Sequence, residues 1–460
     1  MWSKIDPYVT RWRILITGWV LMVISCFPGY MSYDSGQQLA QARGMDPTTN
    51  WHPPVMAYLW RYCDRLIEGP FLMLAVQTIT LLAGMYLLLR RVMSDRGAAL
   101  AAVLILLSPP VMPPMMTIWK DSQMAGFLML AIALMISGRR AGQIAGCVLV
   151  FLGTAQRYNA AAATFPIMLA LFVWKPGIAG WRRYGIAAAV WLGITVSTTF
   201  VNDALSQQHE NVVGSLQLND IAGIIRYKHH YTDDQIRHDA PDLPWTVESN
   251  LRQEVIHRYA PTATWLILAN PETGVWRYPR FEHDVKAVAT AWRNMIVAHP
   301  LSYFRHRVAV FLAELRVTYT DNFYLWWGLV DSPATEYKLG LHATHAWLQE
   351  KWFMSYWALR DTPVYWAWVY FLAGLVLVYL CRRDRVALTI AASGVLCEGF
   401  LFAVAPAIDY RYSHWMITST IVAGTYYVAS RLVARRKRDE AEVGLAGEEP
   451  VLGGAPGAVA

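Results

Sequence analysis

The chain has 460 residues, of which 55% are hydrophobic, 13% aromatic and only 16% charged, and its mean hydropathy is +0.26. A soluble domain carries about 25% charged residues; the deficit is what a lipid-facing surface requires, so the composition predicts an all-α polytopic membrane protein. The net charge of +7 comes from basic residues clustered at the ends of apolar runs. That is an orientation signal and gives no support for a nucleic-acid partner.

The first apolar run, from about Ile14 to Tyr30, follows Lys4, Arg11 and Arg13. No small-x-small cleavage site follows it, so a retained first span is expected rather than a signal peptide. A loop from about Met31 to Pro70 comes next, with Asp34 in Tyr33-Asp34-Ser35 and His52 in Trp51-His52-Pro53-Pro54. A carboxylate at a membrane mouth can act as a general base or hold a divalent metal. It can equally be a helix cap, with Asp34 or Ser35 starting a short interfacial helix over Gly36–Arg43. By itself His52 reads as part of an aromatic-belt anchor, and it gains meaning only because Asp34 shares its loop.

Further spans are predicted over Phe71–Leu89, Ala98–Met116, Ser122–Ile136, Ala141–Ala155, Ala160–Trp174 and Tyr184–Val201. Lys120-Asp121 opens the fourth span, after Pro109-Pro110 and Pro113-Pro114 have interrupted the third. A lysine there normally snorkels, and Asp121 is either its counter-charge or a second metal-binding carboxylate. Gln156-Arg157-Tyr158-Asn159 is nearly the whole connector between two apolar segments. The planar fork of Arg157 suits a phosphate, whose oxygens it can bind in pairs.

A long insertion from about Asn202 to Pro363 is polar and rich in Trp and Tyr. Helix-like periods fall near Val247–Tyr259 and Asp284–Ala298. Ser302–Val317 is apolar, but Arg305, His306, Arg307, Glu314 and Arg316 predict an amphipathic helix in the membrane interface rather than an eleventh span. The histidines of the insertion match no zinc spacing, and most are expected to be solvated. Three spans follow, Val364–Leu380, Val386–Val404 and His414–Leu432, giving about ten in all. Glu398 lies within the ninth, away from the other polar groups, and Asp409-Tyr410-Arg411-Tyr412 precedes the tenth. The chain then turns Glu-, Gly- and Ala-rich, which predicts a disordered tail over residues 434–460.

Five basic connectors (Arg90-Arg91 to Arg96, Arg139-Arg140, Lys175 to Arg183, Arg382 to Arg385, and Arg435 to Arg438) fall on one side without exception. The positive-inside rule places them and both termini in the cytoplasm. Asp34, His52, Lys120, Asp121, Arg157 and Arg411 then share the opposite, extracytoplasmic face. The expected organisation is an N-terminal transmembrane module over 1–201, the insertion over 202–363, C-terminal spans over 364–433 and the tail. The five cysteines include none in the insertion and form no CxxC pair.

Tyr33-Asp34-Ser35, Trp51-His52-Pro53-Pro54, Trp119-Lys120-Asp121, Arg157-Tyr158-Asn159 and Asp409-Tyr410-Arg411-Tyr412, in this order, resemble the GT-C superfamily of membrane glycosyltransferases. The resemblance implies a multi-span fold that uses polyprenyl-phosphate-linked sugars at the outer face of a bacterial inner membrane. It implies Asp34 as the catalytic residue, Lys120, Arg157 and Arg411 on the donor phosphate, and His52, Asp121, Tyr158, Asn159, Asp409 and Tyr410 in support. Asp34 and Asp121 would be the ligands of any Mg2+ or Mn2+. The acceptor would be a lipid, a glycan or a protein, and membrane lipids surround the chain. The first loop carries one acidic candidate where many relatives have an adjacent pair, and Tyr158 stands where relatives often have His. Two other readings compete. A transporter or lipid-linked-glycan flippase would place charges nearer the midplane and often shows duplicated halves, neither of which is found here. A scaffold would use the insertion to bind a partner.

Overall fold

The computed structural model describes residues 10–173, 175, 177–268, 274–318, 339–341 and 347–446. Secondary structure among them is helical, apart from isolated bridges such as Tyr30–Thr117. The N-terminal part runs α1 (Arg11–Cys26), α2 (Tyr33–Arg43), α3 (Val55–Leu66), α4 (Phe71–Leu89), α5 (Asp95–Leu106) and α6 (Met112–Met116). It continues through α7 (Lys120–Met135), α8 (Arg140–Gln156), α9 (Ala160–Leu171) and α10 (Trp181–Leu205).

The third apolar run is not one helix. It breaks between α5 and α6 at Ser108-Pro109-Pro110, because proline lacks the N–H that would continue the ladder. Three helices, α4, α10 and later Arg385–Val404, are long and apolar enough to cross a membrane, and α9 is a shorter apolar helix. The expected count of about ten is therefore not reached among the described residues by length and apolarity. The 16-residue α7, for example, spans about 24 Å at 1.5 Å per residue, short of the roughly 30 Å hydrocarbon core. Only 11% of the apolar window of α10 is buried; so much exposed apolar surface is stable in lipid, not water.

The helix α4 packs against α7, and α7 against α8. Close approach at the first contact depends on Gly84: a Cβ there would lie 2.6 Å from the backbone nitrogen of Leu130. This pairing sets the position of Lys120, the first residue of α7.

The insertion contributes α11 (Val212–Tyr227), α12 (Asp233–Asp239), α13 (Leu251–Arg258), α14 (Trp265–Leu268), α15 (Glu282–Ala298) and α16 (Pro300–Glu314). It has its own apolar core, in which Leu218, Ile221, Ile225, Val255, Trp276, Val288 and Met295 are buried together. The helix α16 departs from the amphipathic expectation, in which its charges face water. His306, Arg307 and Glu314 point inward and are buried, whereas Leu301, Phe304 and Arg305 are exposed. Burial is tolerable because each inward charge has a partner. Asp220 lies 3.0 Å from Arg307 Nη1 and 3.1 Å from His306 Nε2, and Trp292 Nε1 donates to its other oxygen at 2.8 Å. His342 and His345 lie outside the described residues.

The chain ends with α17 (Trp347–Leu359), α18 (Ala367–Leu380), α19 (Arg385–Val404) and α20 (His414–Ala446). The last helix continues through residues 434–446, which the sequence predicts as part of a disordered tail; an i,i+4 pair between Arg436 and Glu440 at 2.9 Å supports it there. Residues 447–460 lie outside the described residues. The helix α19 packs against α9 and α20, and α20 also reaches α4 and α7. These contacts bring the start of α20 beside the start of α7.

Candidate active site

The site is built where the first loop meets the start of α7. Tyr30 N–H donates to Met116 O at 2.9 Å and Ile118 N–H to Tyr30 O at 2.9 Å, so the two segments run side by side. Ser32 then caps α2. Its hydroxyl accepts from the Ser35 N–H, Ser35 answers at the Ser32 N–H, and Trp119 Nε1 donates to Ser32 Oγ at 2.8 Å. The cap is thus Ser32, not Asp34 or Ser35, and the helix begins at Tyr33 rather than Gly36. Asp34 falls in the first turn, where the helix dipole favours an anion and the carboxylate is free to face the site.

Arg411 meets it there. Its Nη2 is 2.6 Å from Asp34 Oδ2, and its Nε is 2.8 Å from Asp409 Oδ2 and 4.0 Å from Asp121 Oδ2. The guanidinium also stacks over Trp119, 5.0 Å from the ring centre. Arg157 pairs with Asp121, receives support from Asn159 Oδ1 at 3.0 Å, and sits 4.5 Å from the Tyr412 ring centre. The Arg157 and Arg411 side chains are only 12% and 10% exposed. Cations held this deep, with aromatic faces behind them, are fixed rather than snorkelling.

His52 and Lys120 complete the cluster. Lys120 Nζ lies 2.7 Å from His52 Nδ1, and His52 Nε2 lies 3.6 Å from Asp34 Oδ1. An ammonium only donates, so Nδ1 accepts and the imidazole proton sits on Nε2, facing Asp34. Burial, with Lys120 beside it, pushes the His52 pKa down to about 3, so the ring is neutral at physiological pH. Burial also lowers Lys120 to about 7, with Asp34 opposing the shift. Burial acts to raise the Asp34 carboxyl, but Arg411, His52 and Lys120 outweigh it and hold the group well below the usual carboxylate range. Asp34 is therefore ionised at any working pH. Asp409 is raised, because burial outweighs Arg411.

The structure thus brings together Asp34, His52, Lys120, Asp121, Arg157, Asn159, Asp409 and Arg411. Two supporting residues act elsewhere. Tyr158 is exposed and its hydroxyl donates to Asn50 O at 2.6 Å, tying the Arg157 turn to the first loop. Tyr410 is buried, donates to Pro110 O at 2.9 Å and packs edge-on against Tyr365; it anchors the last turn to the break between α5 and α6.

The metal expectation does not fit these side chains. Both oxygens of Asp34 face His52 or Arg411, and Asp121 faces Arg157 and Arg411. Among the described residues no three His, Cys, Asp or Glu side chains converge as a ligand set.

Two acids that the sequence analysis names but does not place with the cluster adjoin it. Glu398, placed away from the site by its position in the span, accepts from Ser413 Oγ at 2.8 Å, two residues beyond Arg411. Glu314 lies 3.3 Å from the same hydroxyl and accepts the Asp409 N–H at 3.2 Å. The readable signal was Glu398 itself, since a carboxyl inside an apolar run needs a partner.

Comparison with known proteins found no matching family model and no matching curated protein. Among solved structures, the chain is similar to the Archaeoglobus fulgidus oligosaccharyltransferase in complex with Zn and sulfate, at 13% identity and TM-score 0.39, over 95% of this chain and 52% of that one. It is also similar to ArnT from Cupriavidus metallidurans bound to undecaprenyl phosphate, at 13% identity and TM-score 0.33, over 90% of this chain and 77% of that one. A third is the Archaeoglobus fulgidus oligosaccharyltransferase AglB with an inhibitory peptide and a dolichol-phosphate, at 12% identity and TM-score 0.40, over 98% and 52%. Its structural neighbours are an oligosaccharyltransferase and ArnT. The chain spans about half the length of the oligosaccharyltransferase.

One relationship organises the whole site. The helix ends that carry Lys120, Arg157 and Arg411 are opposite to those that carry Arg139-Arg140 on α8 and Arg435 on α20. The clustered charges therefore gather at one end of the bundle.

Proposed function

We propose that this chain is a GT-C membrane glycosyltransferase that moves a sugar from a polyprenyl-phosphate carrier to an acceptor hydroxyl. The observation that carries the proposal is the Asp34–Arg411 pair, with Lys120 and Arg157 beside it, at one end of an apolar bundle. A polyprenyl donor keeps its tail in the bilayer and its phosphosugar at headgroup level, where only residues at span ends reach it. On this reading the site faces the outer side of a bacterial inner membrane, and the basic connectors lie in the cytoplasm.

The donor phosphate would take the guanidinium groups of Arg411 and Arg157 and the ammonium of Lys120. As the bond between the anomeric carbon and the phosphate oxygen breaks, its electron pair passes to that oxygen, and the fixed cations stabilise the growing charge. Asp34 accepts the proton of the acceptor hydroxyl as that oxygen bonds the anomeric carbon. A single displacement of this kind inverts the anomeric centre. Donor binding also prepares the base: drawing Arg411 onto the phosphate removes the interaction that holds Asp34 most acidic, so its proton affinity rises when it is needed. No step depends on a metal.

Purified protein incubated with labelled polyprenyl-phosphate sugars and candidate lipid, glycan and peptide acceptors, with and without chelator, tests the proposal. Transfer in the wild type that is lost in Asp34→Asn supports it. Sugar-independent movement of the lipid across vesicles, without transfer, would overturn it in favour of a flippase.

A further inference from the structure

The segment that presents Arg411 is held from the insertion side. Arg307 on α16 donates through Nε to Phe402 O at 2.8 Å and through Nη1 to Ala405 O at 3.1 Å. Asn219 on α11 donates to Pro406 O at 3.0 Å, and Ile408 N–H donates to Thr262 O at 3.2 Å. Val310 and Ala313 of α16 bury against Leu401, Ala405 and Ile408 in a small apolar cluster of their own. The last contact in this series is the one nearest the site. Glu314, 3% exposed, accepts the Asp409 N–H at 3.2 Å and lies 3.3 Å from Ser413 Oγ. It therefore grips both ends of the turn Asp409-Tyr410-Arg411-Tyr412-Ser413. Within that turn Asp409 accepts the Arg411 N–H at 3.3 Å and pairs with its side chain at 2.8 Å.

We propose that Glu314 is a positioning residue for donor binding: by clamping the Asp409–Ser413 turn it sets the place and direction of the Arg411 guanidinium. This rests on the glycosyl-transfer reading and gives the insertion a role in it. Glu314 does not touch the reacting atoms; it acts through Asp409. Burying a carboxyl at the end of α16 is costly, and the cost is offset by the Asp409 backbone N–H, which takes Glu314 as its acceptor, and by the Ser413 hydroxyl that Glu314 shares with Glu398. Arg411 in turn can face a phosphate bidentately only while its backbone is fixed. Burial and the nearby Glu398 charge raise the Glu314 carboxyl well above the usual range. A glutamine keeps an acceptor oxygen for the Asp409 N–H and places an amide N–H that can donate to Ser413 Oγ.

The test uses the full chain in lipid nanodiscs, with Glu314→Ala, Glu314→Gln and wild type compared by two readouts. The first is steady-state transfer from a polyprenyl-phosphate sugar. Loss of a buried hydrogen-bonded clamp predicts a KM for the donor raised about tenfold in the Ala variant, kcat within about threefold, and near wild-type values in the Gln variant. The second is amide hydrogen exchange, expected about tenfold faster at Asp409–Ser413 in the Ala variant, unchanged in α4 and α7, and restored by Gln. If the Ala variant fails to insert, Glu314→Asp, its carboxyl drawn back by one methylene, carries the same comparison. Wild-type KM and wild-type exchange in the variant would overturn the proposal. A wild type that transfers no sugar would instead refute the functional reading, and the exchange readout would still decide whether Glu314 holds the turn.

Discussion

Arg411 and Asp34 stand at opposite ends of the chain, yet their side chains meet at 2.6 Å, and the same guanidinium reaches Asp409 at 2.8 Å. One arginine thus joins the first loop to the last turn. It pairs with two carboxylates, and on the proposed reading the donor phosphate competes for it. Arg411→Lys is predicted to behave almost as badly as Arg411→Ala, because an ammonium cannot reach Asp34 and Asp409 with a planar fork. Loss of charge-assisted hydrogen bonds of roughly 1.5–3 kcal/mol predicts a fall in kcat/KM of about 10- to 100-fold. Steady-state transfer assays on both variants check this.

Asp34→Asn keeps the shape of the side chain and its place in the first turn of α2, but it cannot accept a proton. We expect normal membrane insertion and a fall in kcat of about 10²–10⁴-fold, the usual contribution of a positioned general base. A variant that inserts and retains wild-type kcat would remove Asp34 from the chemistry.

Lys120, with a pKa lowered to about 7 by burial, loses its charge as pH rises through neutrality. Affinity for a polyprenyl-phosphate sugar, whose phosphodiester stays ionised, should therefore weaken from pH 6 to 8.5. Lys120→Met should bind more weakly at pH 6 and show a flatter profile. Equilibrium binding across that range measures both slopes.

His52 predicts an acid limit to stability. Its pKa is lowered to about 3 in the folded chain, against about 6.5 when unfolded. Between those values the unfolded chain binds a proton that the folded one does not, so the contribution is complete above pH 6.5 and is lost as pH falls toward 3. Thermal unfolding in detergent should show a Tm that drops below pH 6.5, with a shallower drop in His52→Gln.

Gly84 tests the scaffold beneath the site. A methyl group there would press against the backbone of α7, so Gly84→Ala should destabilise by about 1–3 kcal/mol through overpacking. Thermal unfolding in detergent reads this directly.

Much of the site was legible because ionisable groups beside a bilayer are costly and persist only where they have work or partners. That reasoning marked Asp34, Lys120, Asp121, Arg157 and Arg411 individually, and the structure brings them into one cluster. It misplaced the cap, because Ser32 and Ser35 form a reciprocal box that leaves Asp34 free. It also treated Arg307 and Glu314 as water-facing charges of an interfacial helix. Their partners, Asp220 and the Asp409–Ser413 turn, are remote in sequence, and no local pattern reports such pairing. The interruption of the third apolar run, by contrast, was legible in Pro109-Pro110: α5 ends at Leu106 and α6 begins at Met112.

The most direct measurement is the affinity of the purified wild type, Arg411→Ala and Arg157→Ala for a polyprenyl-phosphate-linked sugar. If these arginines hold the donor phosphate, wild type binds and each variant binds at least about tenfold more weakly, as loss of a charge-assisted hydrogen bond requires. Equal affinity in all three proteins would contradict the account.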